Sequence, residues 1–344
     1  MTNPAETTSA STRLSRRNAA LSVGAVVVLV AVAASPPLLG RRVSAALDAL
    51  GGADQHWLAV GAIGFALSFL CTVAAWHAAF AAAGARIAPR QAAARLGIGS
   101  MVNSFAPAKL GDAVKIALFA KAIDGPGRLW TTGGAYAGLA AARSLALAGL
   151  LVAASATGAM PLWPVFALCG GVGALALAAS LSGRLRRHAR VAQLLAALAA
   201  LQRSPRGVAS VLTWTAAMML ARVCGTVAVA IAFGLPHPAL AALLILAALD
   251  LAAIFPLTPG NIGIGSGAVA VALASRGIGV PQALGVGIAI QALETLVSIS
   301  AGSAGVLYLA APGAAVRRWT LRFATVGATA AFATVLGLVV LNLT

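Results

Sequence analysis

Charge is the first scarcity: only 9% of the 344 residues are Asp, Glu, Lys or Arg, against about a quarter in soluble domains. A chain so poor in charge cannot coat a water-facing surface, which excludes a soluble domain of this length. Acids are scarcer still, seven against 24 Lys and Arg, so groups for acid and base chemistry are sparse. The three cysteines, Cys71, Cys169 and Cys224, lack metal-ligand spacing, and each sits in an apolar run as a small core residue. His56, His77, His188 and His237 are scattered and build no cluster. No metal, no cofactor and no nucleophile–base pattern is expected, and enzyme activity is not expected either.

What remains is apolar. Hydrophobic residues make up 60% of the chain and the mean hydropathy is +0.95. Apolar runs recur from end to end, each near the ~20 residues that carry a helix across a hydrocarbon core. The expectation is an all-α, polytopic transmembrane helix bundle. Ala and Gly dominate the runs, which suits helix contact in lipid, where small residues let backbones approach. A formal charge of +17 would in a soluble protein suggest nucleic acid. Here the basic residues fall in short loops between runs, among them Arg86 and Arg90, Lys121 and Arg128, Arg184 to Arg190, and Arg317 and Arg318. That is the distribution of cytoplasmic loops facing anionic lipid, so no nucleic acid partner is expected.

Residues 1–18 read as a disordered cytoplasmic N-terminus and 19–344 as a single transmembrane domain. Spans are expected at about 19–39, 57–83, 129–157, 161–181, 207–233, 281–310 and 320–341, with a basic cytoplasmic loop at 184–206. Two further apolar stretches, at about 96–120 and 240–274, are broken in the middle. The breaks carry Pro107…Gly111 and Pro259…Gly263, the same Pro-x-x-x-Gly spacing. Basic residues flank both ends of the first stretch, and each half is too short to span alone. The expectation is about seven spans plus two re-entrant helical hairpins of opposite orientation, an inverted repeat of the kind that builds transporter sites. Pro and Gly kinking ordinary spanning helices is the other reading, with about nine spans.

Charges at membrane depth cost a few kcal/mol or more each and mark functional candidates. The spans hold Arg143, Arg222 and Glu294, the second broken stretch holds Asp250, and the first break holds Lys109, Asp112 and Lys115. As a set they imply a polar cavity between helices; taken singly, each arginine has the alternative of a structural ion pair with Asp250 or Glu294. At the breaks, the free N–H groups of the second half-helix would suit a phosphate. Lys109 and Lys115 would add charge there, Gly260 an adaptable backbone, and Thr258, Asn261 and Ser266 hydrogen bonds.

Three segments carry a family resemblance: Asn103-Ser104-Phe105-Ala106-Pro107 through Gly111-Asp112-Ala113-Val114-Lys115, then Arg143, then Phe255-Pro256-Leu257-Thr258-Pro259-Gly260-Asn261-Ile262-Gly263. From about Trp57 to Leu309 the chain resembles the lysylphosphatidylglycerol synthase transmembrane-domain family, flippase-like membrane proteins linked to moving lipids or lipid-linked intermediates. The resemblance brings no aminoacyl-transferase domain with it, so the synthase activity is not expected. Three positions depart from the family's pattern. Ser266 stands where an acid is usual, Ala142 where a Glu precedes the arginine, and Glu294 near Gln291 where an Arg is frequent.

The resemblance implies translocation of a membrane lipid or polyprenyl-phosphate-linked glycolipid across the bacterial plasma membrane; the Lys and Arg asymmetry of the loops separately predicts a cytoplasmic N-terminus. The competing expectation is a non-catalytic membrane anchor for a glycosyltransferase, docked on the basic 184–206 loop.

Overall fold

The computed structural model describes residues 51–106, 110–123, 128–158, 166, 170, 204–253 and 263–310. Among these the chain is all helix, in eight elements. They are α1 (Gln55–Ala82), α2 (Pro89–Phe105), α3 (Leu110–Ala120), α4 (Arg128–Ala156), α5 (Pro205–Ala232), α6 (Pro238–Ala252), α7 (Ile264–Ala274) and α8 (Val280–Leu309). The expected spans at 19–39 and 320–341 lie outside the described residues, and nearly all of 161–181 does too.

Local chemistry sets the helix starts. Asp54 caps α1, its Oδ1 accepting from the backbone of His56 at 2.8 Å and Trp57 at 3.4 Å. Ser204 caps α5 by accepting from Gly207 N at 3.2 Å. Proline stands in the first two positions of α2, α5, α6 and α8, where its missing N–H costs nothing. Four helices, α1, α4, α5 and α8, are long and apolar enough to cross a membrane. Their outward faces present Ile63, Leu145 and Leu220, each about two-thirds exposed. Such a surface is stable only against lipid.

The order long–short–short–long occurs twice, with lengths 28, 17, 11 and 29 residues and then 28, 15, 11 and 30. The packing repeats as well. In the first half α2 packs on α3, α3 on α4 and α1 on α4; in the second α6 packs on α7, α7 on α8 and α5 on α8. Across the halves α2 meets α8 as α6 meets α4, and α1 meets α8 as α5 meets α4. The most extensive contact joins the two equivalent helices, α1 and α5.

These two run antiparallel. Asp54 N at the start of α1 donates to Ala232 O at the end of α5, at 2.9 Å. Gly64 faces Gly225 so closely that an added Cβ would lie 2.6 Å from the Gly225 Cα, and Gly207 abuts Ala82 at the far end. Equivalent helices that pack antiparallel place the pseudo-twofold axis across the helices, not along them.

The first broken stretch folds back on itself. Arg95 Nε donates to Leu118 O at 3.1 Å, Gly99 abuts Gly111 and Lys115, and Asn103 meets Asp112. Sequence number falls along α2 as it rises along α3, the register of an antiparallel pair. Gly99 and Gly111 permit this approach, since a Cβ on either would strike the partner backbone. In the second stretch α6 and α7 also pack together. The break residues 107–109 and 254–262 fall outside the described residues. Gly111 meets neighbours within its own pair, while nothing lies within 4 Å of a Cβ built on Gly263.

Two of the cysteines are described. Cys71 is buried as expected, whereas Cys224 lies on the exposed face of α5. An apolar run does not say which side of its helix turns inward.

Candidate functional site

A cavity of about 570 Å³ opens between the halves, lined by every helix except α7. It touches both hydrophobic cores, through Phe65 of one and Trp76 and Leu96 of the other. All six of the described charged candidates, Asp112, Lys115, Arg143, Arg222, Asp250 and Glu294, line it. Lys109, Thr258, Gly260 and Asn261 lie outside the described residues. The sequence scattered these six over 183 positions, and the repeat brings them to one space.

The charges are arranged in three groups. Arg222 on α5 holds two carboxylates: its NH1 donates to Asp250 on α6 at 2.5 Å and its Nε to Glu294 on α8 at 3.0 Å. One guanidinium thus ties three helices of the second half. On the opposite wall Lys115 Nζ donates to Asp112 Oδ1 at 3.0 Å. Asn103 Nδ2 donates to the same oxygen at 2.9 Å, and Tyr136 Oη to Oδ2 at 3.0 Å. Asp112 stands in the first turn of α3, where the helix dipole favours an anion. The half-helix N-terminus proposed for phosphate therefore already carries its own carboxylate, and Lys115 is spent on it.

Arg143 on α4 is the third group. Its polar contact is Met218 Sδ at 3.7 Å, and among the described residues no carboxylate lies within ion-pair distance. Protein surrounds it at cavity depth, yet its own surface is open to the cavity volume rather than packed away. The pairing of both arginines with Asp250 and Glu294 holds for Arg222 and fails for Arg143, because Arg222 takes both acids.

An aromatic wall fixes the Asp112 side. Trp76 stacks on Phe119 with centroids 4.7 Å apart, Phe80 stacks on Phe119 at 4.8 Å, and Tyr136 tilts against Trp76 at 6.0 Å. These rings come from α1, α3 and α4, so they orient Tyr136 toward Asp112. Asn103 Oδ1 is buried without a partner in the same wall. Tyr136 was missed as a cavity residue, although a signal existed. It is one of two tyrosines in the chain and lies seven residues, two helical turns, before Arg143 on the same face.

Ser266 does not reach the cavity. It is buried beneath α8 against Gly287, with its hydroxyl on Gly263 O at 3.4 Å. An acid in its place would have no cation to meet there among the described neighbours.

The fold and the cavity define a multi-pass helical membrane protein built from two related halves around a polar space. The chain belongs to the lysylphosphatidylglycerol synthase TM region family, whose profile it matches over residues 19–302. Membership places it among membrane proteins of lipid metabolism. No curated relative matches it.

Proposed function

We propose that this protein translocates a phosphate-bearing lipid, a phospholipid or a polyprenyl-phosphate-linked glycolipid, across the bacterial plasma membrane without enzymatic chemistry. The observation that carries the reading is Arg143: a cation open to a cavity between two related halves, with no carboxylate within ion-pair distance among the described residues. An unpaired arginine at this depth is costly unless a ligand or water answers it. A headgroup phosphate would do so with bidentate hydrogen bonds. Asp250 and Glu294, held by Arg222, lie across the cavity and meet the remainder of the headgroup.

The α2–α3 and α6–α7 pairs act in this reading as re-entrant hairpins of opposite orientation. The repeated contacts and the antiparallel α1–α5 pair support an inverted repeat. The basic loops put the N-terminus in the cytoplasm. The anchoring role for a glycosyltransferase rests on residues 184–206, of which 184–203 lie outside the described residues.

The test is purified protein in vesicles carrying fluorescent phospholipid or polyprenyl-phosphate probes, read by chemical quenching of the outer leaflet. Lipid movement above empty vesicles is expected, with at least a tenfold loss in Arg143→Gln, about 1.4 kcal/mol of lost interaction or more. Folded protein that moves neither probe sinks the proposal, as does an Arg143→Gln variant moving lipid at the parent rate.

A further inference from the structure

A second space lies on the outer face, between α1, α2 and α8. It is an almost wholly apolar groove of about 750 Å³. Its floor is made of small side chains, among them Ala66, Ala94, Ala301 and Ala304, and its rims are Ile63, Leu70 and Leu296. The floor is low because glycines draw α2 and α8 together. Gly97 abuts Ala301, Gly302 abuts Met101 and Gly305 abuts Ala94. The same contacts show that α2 and α8 run antiparallel, which brings Arg90 at the start of α2 and Tyr308 near the end of α8 to one end of the groove. Phe69 and Val297 line both the groove and the charged cavity.

We infer that this groove holds an acyl chain of a glycerophospholipid drawn from the leaflet on the Arg90 side, with the lipid phosphate at Arg90 and Tyr308. Length is the first argument. From Leu296 to Tyr308 is about 18 Å at the α-helical rise, close to half of the ~30 Å hydrocarbon core, one leaflet. Charge is the second. Arg90 is exposed and has no ion pair among the described residues, whereas neighbouring Arg95 is committed to Leu118 O and Gln91 O. Arg90 is then available to a phosphate at headgroup level, with the Tyr308 hydroxyl, which also lies in the field of Arg95, beside it. Continuity is the third: the acyl chain would lie against Phe69 and Val297, the wall the groove shares with the cavity. A polyprenyl chain is far longer than this ~18 Å wall and would extend well beyond it.

This inference shares its lipid class with the proposed function but concerns binding alone. Full-length protein in vesicles of phosphatidylethanolamine and phosphatidylglycerol, doped with phosphatidylglycerol bearing a photoactivatable acyl chain, is irradiated and the adducts are mapped by mass spectrometry. Adducts are expected to concentrate on residues 62–70 and 296–308, over Leu145 and Leu220 on other outer faces. Ala304→Leu fills the floor at an exposed position and should lower groove adducts several-fold, and Arg90→Ala should lower them too. Ala59→Leu, exposed on α1 outside the groove, should leave them unchanged. Adducts as frequent at Leu145 and Leu220 would reduce the groove to ordinary lipid-facing surface and overturn the inference. So would a polyprenyl-phosphate photoprobe that labels the groove in preference to the phospholipid. Groove adducts without lipid movement leave this site standing and sink the transport reading; movement without groove adducts does the reverse.

Discussion

Replacing Arg222 by Gln separates a structural ion network from a ligand cation. Arg222 is the sole ion-pair partner of Asp250 and Glu294 among the described residues, so its loss leaves two carboxylates side by side on one wall of the cavity. Breaking a buried pair costs ~3–5 kcal/mol. The side chains of Arg222, Asp250 and Glu294 are 20%, 18% and 37% exposed, so cavity water screens part of that cost. The expected loss is therefore near the lower end, about 3 kcal/mol, or a fall in Tm of about 5–10 °C by the scaling for large domains. Arg143→Gln breaks no ion pair among the described residues, only the Met218 contact at 3.7 Å, and its longer-range attraction to Asp250 and Asp112 is opposed by repulsion from Arg222, so it should cost less than about 1 kcal/mol. The triple variant Arg222→Gln, Asp250→Asn, Glu294→Gln should recover at least half of the single-variant loss, because neutral partners need no counter-charge. Thermal unfolding followed by intrinsic tryptophan fluorescence in detergent reads all three. Equal losses for Arg222→Gln and Arg143→Gln, or a triple variant no more stable than the single, would refute the division of roles.

Gly64→Ala should lower stability by about 1–3 kcal/mol, because the new Cβ would sit 2.6 Å from the Gly225 Cα, backbone that cannot swing aside. Gly149→Ala, with nothing within 4 Å, should be neutral or slightly stabilising by the same unfolding measurement. A cysteine placed at Arg86, with Cys71, Cys169 and Cys224 changed to Ala, should react with an impermeant maleimide only from the cytoplasmic face. Labelling from outside would reverse the topology.

The helices were legible because each apolar run is long and ends at a cap or proline. The expected 57–83, 129–157, 207–233 and 281–310 differ from α1, α4, α5 and α8 by a residue or two. Pro107 and Pro259 with their glycines marked the interrupted pairs, since proline breaks the backbone ladder wherever it stands inside a helix. Scarcity made the six cavity charges conspicuous. Which charge pairs with which was not legible, for that depends on distances across helices. Arg143 and Arg222 look alike in sequence, yet one faces two acids and the other a methionine. The groove between α1, α2 and α8 was invisible for the same reason: its shape comes from glycines on two helices, more than 200 residues apart in the sequence, each unremarkable in its own run.

Among the described residues, the charged side chains that line the cavity are three of each sign, Lys115, Arg143 and Arg222 against Asp112, Asp250 and Glu294. Taken together their formal charges cancel, so the cavity adds no net charge to the protein's long-range field. The chain's excess of +17 belongs instead to the residues outside it. Attraction over distance and recognition at contact are thereby assigned to different parts of the molecule. Salt at physiological strength, with a screening length of about 8 Å, weakens the first. The second acts within hydrogen-bond reach, well inside that screening length, so ionic strength weakens it far less.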